Sequence, residues 1–175
     1  VVRGAGTVGP EVLALGGDDP CAAMSWDIDA FAGLLIRAIH RKADVVSSDP
    51  TEKGRRAILN YGHTFAHAIE KVEGYSWRHG EAVAVGMCFV AELARLAGRL
   101  DADTAARHAS VLRLIGLPTT YRGDKWLELS EGMRVDKKNR GVRTRFIVLD
   151  GLALPAPLDD PAEELLLGAY AAVSA

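Results

Sequence analysis

Residues 81–98 read EAVAVGMCFVAELARLAG, and a helix built from them would be apolar almost all round. Val83, Val85, Met87, Phe89, Val90, Leu93 and Leu96 leave hardly any polar face to turn to water. A helix of this kind has to be buried, and it predicts a central helix wrapped by the rest of the chain. The wrapping has to be protein. The apolar part, residues 82–97, is too short for a bilayer and carries Glu92 and Arg95. With 175 residues, 49% of them hydrophobic, there is material for a single domain with a sizeable core.

Other segments supply the wrapping. Asp27 can cap a helix running to about residue 47, in which Ile28, Phe31, Leu35 and Ile39 recur at helical spacing. Ser47-Ser48-Asp49-Pro50 breaks it. Residues 51–59 read as a charged turn, followed by a helix over residues 61–72 that ends near Gly74. Asp103 or Thr104 starts a helix to about residue 115, stopped by Gly116-Leu117-Pro118. Residues 125–135 form another, 136–141 a polar turn, 143–150 the one clear strand, and 163–173 a closing helix. The first 25 residues are rich in glycine and read as an irregular lead-in with a short helix around residues 11–15. The expected fold class is therefore mainly α, a multi-helical domain with one small β element. There is no strand–helix alternation, and no G-x-G-x-x-G loop in a strand–helix setting; Gly4-Ala5-Gly6 is a weak match.

A net charge of −2 provides no global field for nucleic acid or an anionic membrane, so neither is an expected partner. The two cysteines, Cys21 and Cys88, show no metal-ligand spacing, and Cys88 in its apolar run reads as a buried thiol. Nothing indicates a disulfide framework, and a reducing cytoplasm is the expected compartment.

Three of the five histidines fall in residues 60–81, NYGHTFAHAIEKVEGYSWRHGE. His63 and His67 are four apart, one above the other on a helix, and His79 follows twelve residues later at the mouth of the apolar helix. A helical pair plus a third imidazole at the next helix is a way to bring donors to one divalent metal. Gly62 and Gly80 leave room for close approach. The pair is not a zinc-protease helix, because Thr64 stands where that motif has its glutamate base. His40, among Arg37, Arg41 and Lys42, and His108, beside Arg107, read as surface or packed histidines. Arg56 and Asn60, four apart and leading into His63, suit an anionic, hydroxyl-rich ligand, with Glu52 able to order Arg56 or bind a hydroxyl. Lys42 and Lys137 flank the region. As isolated residues these cations could equally be solvated surface charges, and Glu52–Arg56 a helix-surface pair.

Taken together, the motifs resemble those of 3-dehydroquinate synthase, a family within the sugar-phosphate cyclases. They are KADVV from Lys42, then Asp49, Glu52, Gly54 and Arg56, then LNYGHTFAHAIE from Leu59, HGEAVAVGM from His79, GLP from Gly116 and DKK from Asp136. They follow in the family's order and spacing from about residue 27 to the end, with Ala66 in place of a usual glycine. The resemblance implies cyclisation of 3-deoxy-arabino-heptulosonate 7-phosphate to 3-dehydroquinate with elimination of phosphate, a shikimate-pathway lyase step. It implies a divalent metal, zinc or alternatively cobalt, together with NAD, and a homodimer in the full-length enzyme. It makes His63 and His79 the histidine metal ligands and His67 a neighbouring group on the proton-transfer path. Lys42, Glu52, Arg56, Asn60, His67 and Lys137 become substrate-binding positions, and His67, Lys42 and Arg56 the catalytic ones.

The family's third metal ligand is a glutamate in an Ala-Glu-Val-(Val/Ile)-Lys segment, which by register falls just before residue 1, with Arg3 at the place of the family's lysine. The NAD site is expected mainly on an N-terminal α/β domain that this chain does not contain. The chain thus reads as the C-terminal metal- and substrate-binding half, inactive by itself. Related cyclases, above all one making an amino analogue of dehydroquinate, and a truncated inactive domain are the alternatives. Iron-type alcohol dehydrogenases fit less well. Their third histidine comes sooner, and they lack the Arg56–Asn60 approach.

Overall fold

The computed structural model describes residues 28–49, 55–140 and 144–175. In chain order these form α1 (Ile28–Ser48), a 3-10 helix (Arg55–Asn60), α2 (His63–Val72), α3 (His79–Leu96), α4 (Ala102–Leu114), α5 (Trp126–Arg140), β1 (Arg145–Leu149), β2 (Pro155–Asp159) and α6 (Glu163–Ala172). The expected lead-in helix and the Asp27 cap lie outside the described residues.

The apolar stretch is the axis of the molecule. Every residue of α3 from Ala82 to Ala91 is buried, and α2, α4, α6 and β1 all pack against it. Phe89 of α3 stacks on Phe65 of α2 with ring centroids 4.0 Å apart, and its other neighbour is Phe146 of β1 at 5.9 Å. Burial of each such ring is worth about 1.5–3 kcal/mol. Cys88 is buried as expected, and desolvation pushes its thiol up to about 12, out of the reactive range.

Two segments differ from expectation. Helix α5 runs on to Arg140 through residues 136–140, which read as a polar turn. Nothing before Gly141 stops a helix there, because lysine and arginine are good helix formers. The strand pairs with a second one, in register from Arg145 opposite Asp159 to Leu149 opposite Pro155. Pro155 and Pro157 conceal β2 in the sequence. They are tolerated because alternate residues of an antiparallel strand point their backbone groups away from the partner. The carbonyl of Pro157 accordingly accepts from Arg99 Nη1 at 3.0 Å, and the same guanidinium forks onto Asp150, fastening the hairpin beside the end of α3.

Helices α2 and α3 meet at glycines. Gly62 has φ of +79° and turns the chain out of the 3-10 helix into α2. A Cβ added to Gly86 would lie 2.1 Å from the Gly62 carbonyl oxygen, and one on Gly62 would lie 2.7 Å from the Met87 nitrogen. Close approach therefore uses Gly62 and Gly86. Gly80, the expected second glycine, has no heavy atom within 4 Å of such a Cβ. Beneath this contact, His108 of α4 is buried and its Nδ1 lies 2.8 Å from the Thr104 carbonyl, so Nδ1 carries the proton. Nε2 then accepts from the Tyr61 hydroxyl at 3.1 Å.

Replacing Gly86 with alanine is expected to destabilise the chain by about 3 kcal/mol or more, because backbone rather than a flexible side chain stands in the way. Gly80→Ala, in the open first turn of α3, should be neutral or stabilising by up to about 1 kcal/mol. Urea denaturation of both variants checks the contrast. Desolvation lowers the pKa of His108, so the unfolded chain takes up a proton more readily than the folded one. Stability from this group is complete above about pH 6.5 and falls as the pH drops below it, with a slope of at most about 1.4 kcal/mol per pH unit. His108→Gln should flatten that part of the profile in thermal melts taken between about pH 8 and 5.5.

Candidate metal centre

Once Gly62 has turned the backbone, His63 is the first residue of α2, His67 lies one turn on and Glu70 the next. His79 opens α3, where the Arg78 backbone N–H donates to Glu81 Oε2 at 3.4 Å across the first turn. The glycine contact between the helices brings these two starts together. Ring centroids of His63 and His79 are 5.2 Å apart, of His63 and His67 5.4 Å, and of His67 and His79 6.1 Å. His63 is half-buried, and His67 and His79 open to solvent.

Ring orientation is set from behind. His63 Nδ1 lies 3.3 Å from the Tyr61 carbonyl, which can only accept. His79 Nδ1 lies 3.0 Å from Glu70 Oε1. Each bond places a proton on Nδ1 of the neutral ring and leaves the lone pair on Nε2, an arrangement usual for metal-bound histidine. Among the described residues, one donor atom from each of His67, Glu70 and His79 lies within 4.8 Å of the others. This set leaves out His63, one of the two expected ligands, and an ion with bonds of about 2.0–2.1 Å holds tetrahedral donors about 3.3 Å apart, so side chains must move before any ion is held. Imidazoles backed by a carboxylate suit a borderline-soft divalent ion, and the residues present fit one.

The approach to the site departs from the simple helical picture. Arg56 and Asn60 lie on a 3-10 helix, half-buried and exposed respectively, and not on one continuous turn with His63. At three residues per turn, positions four apart no longer stack. The Arg56 backbone N–H donates to Asp49 Oδ2 at 3.0 Å, tying the 3-10 helix to the end of α1. Lys42 is exposed on α1, which packs against that 3-10 helix. Lys137 belongs to the last turns of α5, the helix packed on α2. Glu52 lies outside the described residues. Glu70 was not among the predicted site residues. Its signal was present in the spacing, three beyond His67 and seven beyond His63, on the same helical stripe.

The family model for the 3-dehydroquinate synthase C-terminal domain matches residues 7–139. The chain belongs to this family. It is 55% identical over 99% of its length to the 3-dehydroquinate synthase of Saccharopolyspora erythraea, of which it covers 47%. It is likewise 55% identical over 99% of its length to that of Streptomyces coelicolor, covering 48%. The chain thus spans about half the length of the curated relatives it matches. Its fold is similar to that of 2-epi-5-epi-valiolone synthase from Streptomyces hygroscopicus subsp. jinggangensis 5008, solved with NAD+ and Zn2+ bound. That match has a TM-score of 0.86 at 20% identity, covering 98% of this chain and 48% of the other. A 2-deoxy-scyllo-inosose synthase solved with carbaglucose-6-phosphate, NAD+ and Co2+ matches with a TM-score of 0.65 at 28% identity, over 80% of this chain and 41% of the other. Among the described residues no helix is long and apolar enough to cross a membrane.

If the imidazoles form the centre, His63→Ala and His79→Ala should each weaken zinc binding by more than about 100-fold, beyond the loss usual for an outer-shell residue. Competition with a chromogenic chelator checks this, with circular dichroism verifying that each variant folds.

Proposed function

We propose that the chain is the metal- and substrate-binding half of a 3-dehydroquinate synthase, converting 3-deoxy-arabino-heptulosonate 7-phosphate to 3-dehydroquinate with loss of phosphate. The observation that carries this reading is the convergence of His63, His67 and His79 at the starts of α2 and α3 in a chain of this family. His63 and His79 are assigned as metal ligands through Nε2. When bound, a zinc or cobalt ion supplies Lewis acidity toward a substrate hydroxyl and NAD supplies reversible hydride acceptance.

The chain's own residues would bind, orient and move protons. Arg56, Lys42 and Lys137 offer cations for the phosphate and carboxylate of the substrate, and Asn60 offers a carboxamide to its hydroxyls. Glu52 is assigned to ordering Arg56 or to a substrate hydroxyl. His67 stays out of the ligand set and carries a proton to or from the phosphate-bearing side, a task suited to an imidazole at neutral pH. Fixed cations and a positioned imidazole hold one substrate in place through successive steps. The dinucleotide site is assigned to the part of the relatives that this chain does not span, and so is the third metal ligand. A homodimer and a reducing cytoplasmic setting belong to the same reading; the buried Cys88 thiol accords with the latter.

The test is phosphate release from 3-deoxy-arabino-heptulosonate 7-phosphate with NAD and zinc. It is run on the chain alone and with the N-terminal half of the Streptomyces coelicolor relative supplied as a fusion or in trans. Activity is expected only in the combined form, and its absence there would sink the reading. In that form His67→Ala should keep its zinc and lose turnover by about 100-fold or more, the range for a removed general acid–base. Loss of zinc in that variant would make His67 a ligand.

A further inference from the structure

We propose that Glu70 is a positioning residue, whose carboxylate holds His79 by its Nδ1 proton and so turns Nε2 toward the metal. This rests on the metal reading above. His79 needs such a partner more than His63 does. Its side chain is 55% exposed at the open end of α3, where solvent leaves an imidazole to rotate and to exchange tautomers. Glu70 is the better-anchored member of the pair, with only 13% of its side chain exposed. It is held on the α2 stripe that carries His63 and His67, so it couples the ring that opens α3 to the helix bearing the other imidazoles. The bond from Nδ1 to Oε1 is 3.0 Å, a hydrogen-bond length.

The geometry favours positioning over direct coordination. The two nitrogens of an imidazole face opposite ways, so an oxygen engaged by Nδ1–H lies behind the ring while an ion on Nε2 lies in front. The same device recurs at His63, whose Nδ1 faces the Tyr61 carbonyl. Both assigned ligands are thus set in the same tautomer by acceptors on or just before α2, one from backbone and one from a side chain. The carboxylate also makes the His79 ring a stronger donor to a cation than a backbone acceptor would.

The test uses the 175-residue chain, metal-free and with nitrogen-15 in its histidine rings, at about pH 8, above the ordinary imidazole range. Long-range proton–nitrogen NMR should show His79 with its proton on Nδ1 in the wild type. Glu70→Ala should release that tautomer. Glu70→Gln should keep it, because an amide oxygen still accepts. Alanine and glutamine are both good helix formers at this α2 position, so folding should survive either change. Zinc affinity, read by chelator competition, should fall about 10–100-fold in Glu70→Ala and only a few-fold in Glu70→Gln. An unchanged tautomer in Glu70→Ala, with zinc still taken up, overturns this proposal alone. Equal zinc loss in both variants with the Nδ1 proton retained in Glu70→Gln also overturns it, and makes the carboxylate a ligand. A wild-type chain that takes up no zinc, even with the complementary half present, overturns the metal reading and this proposal with it.

Discussion

The contact between the backbones of Gly62 and Gly86 decides where everything else at the site can be. No side chain stands between the start of α2 and the middle of α3 at that point, and a single methyl on either residue would overlap main-chain atoms. A packing contact through side chains can relax by a rotamer change, whereas two main chains in contact can only move as whole helices. The spacing of His63 from His79 is therefore fixed by rigid elements. The α3 axis, apolar on all sides and covered by α2, α4, α6 and the hairpin, cannot shift without disturbing every layer around it.

On that frame the histidines are oriented by their rear nitrogens. A neutral imidazole in water interchanges its tautomers and rotates about its side-chain bonds, so a cluster of three rings is not yet a metal site. Acceptors at Tyr61 and Glu70 select one tautomer for the two rings assigned to the metal. His67, one helical turn beyond His63, is exposed, as is His79.

How much of this could be read from residues alone depends on what each signal measures. The burial of α3 was legible because apolar residues fill every face, and the histidine spacing survived because α2 is an ordinary helix from His63 onward. The break at Gly62 was not legible, since four-residue spacing looks the same whether a helix is continuous or interrupted by one left-handed residue. That is why Arg56, Asn60 and His63 were expected on one turn. The strand β2 was hidden by two prolines whose backbone happens to face away from β1. Helix α5 reads shorter than it is because the polar run 136–141 ends in Gly141, a turn signal, although residues 136–140 hold no helix breaker. Glu70 looked like any charged residue near a helix end, because its partner is brought back to it by a turn.

Tyr61 does two jobs with two different atoms. Its carbonyl faces His63, and its phenol hydrogen-bonds to His108 on the buried face of α4. Helix α4 thereby stands mechanically in series with His63, although it supplies no side chain to the histidine cluster. Anyone diversifying this scaffold toward a different ion should treat position 108 and its buried neighbours as part of the randomised set. Substitutions there would reach the orientation of the His63 ring from a distance, without touching any of the three clustered histidines.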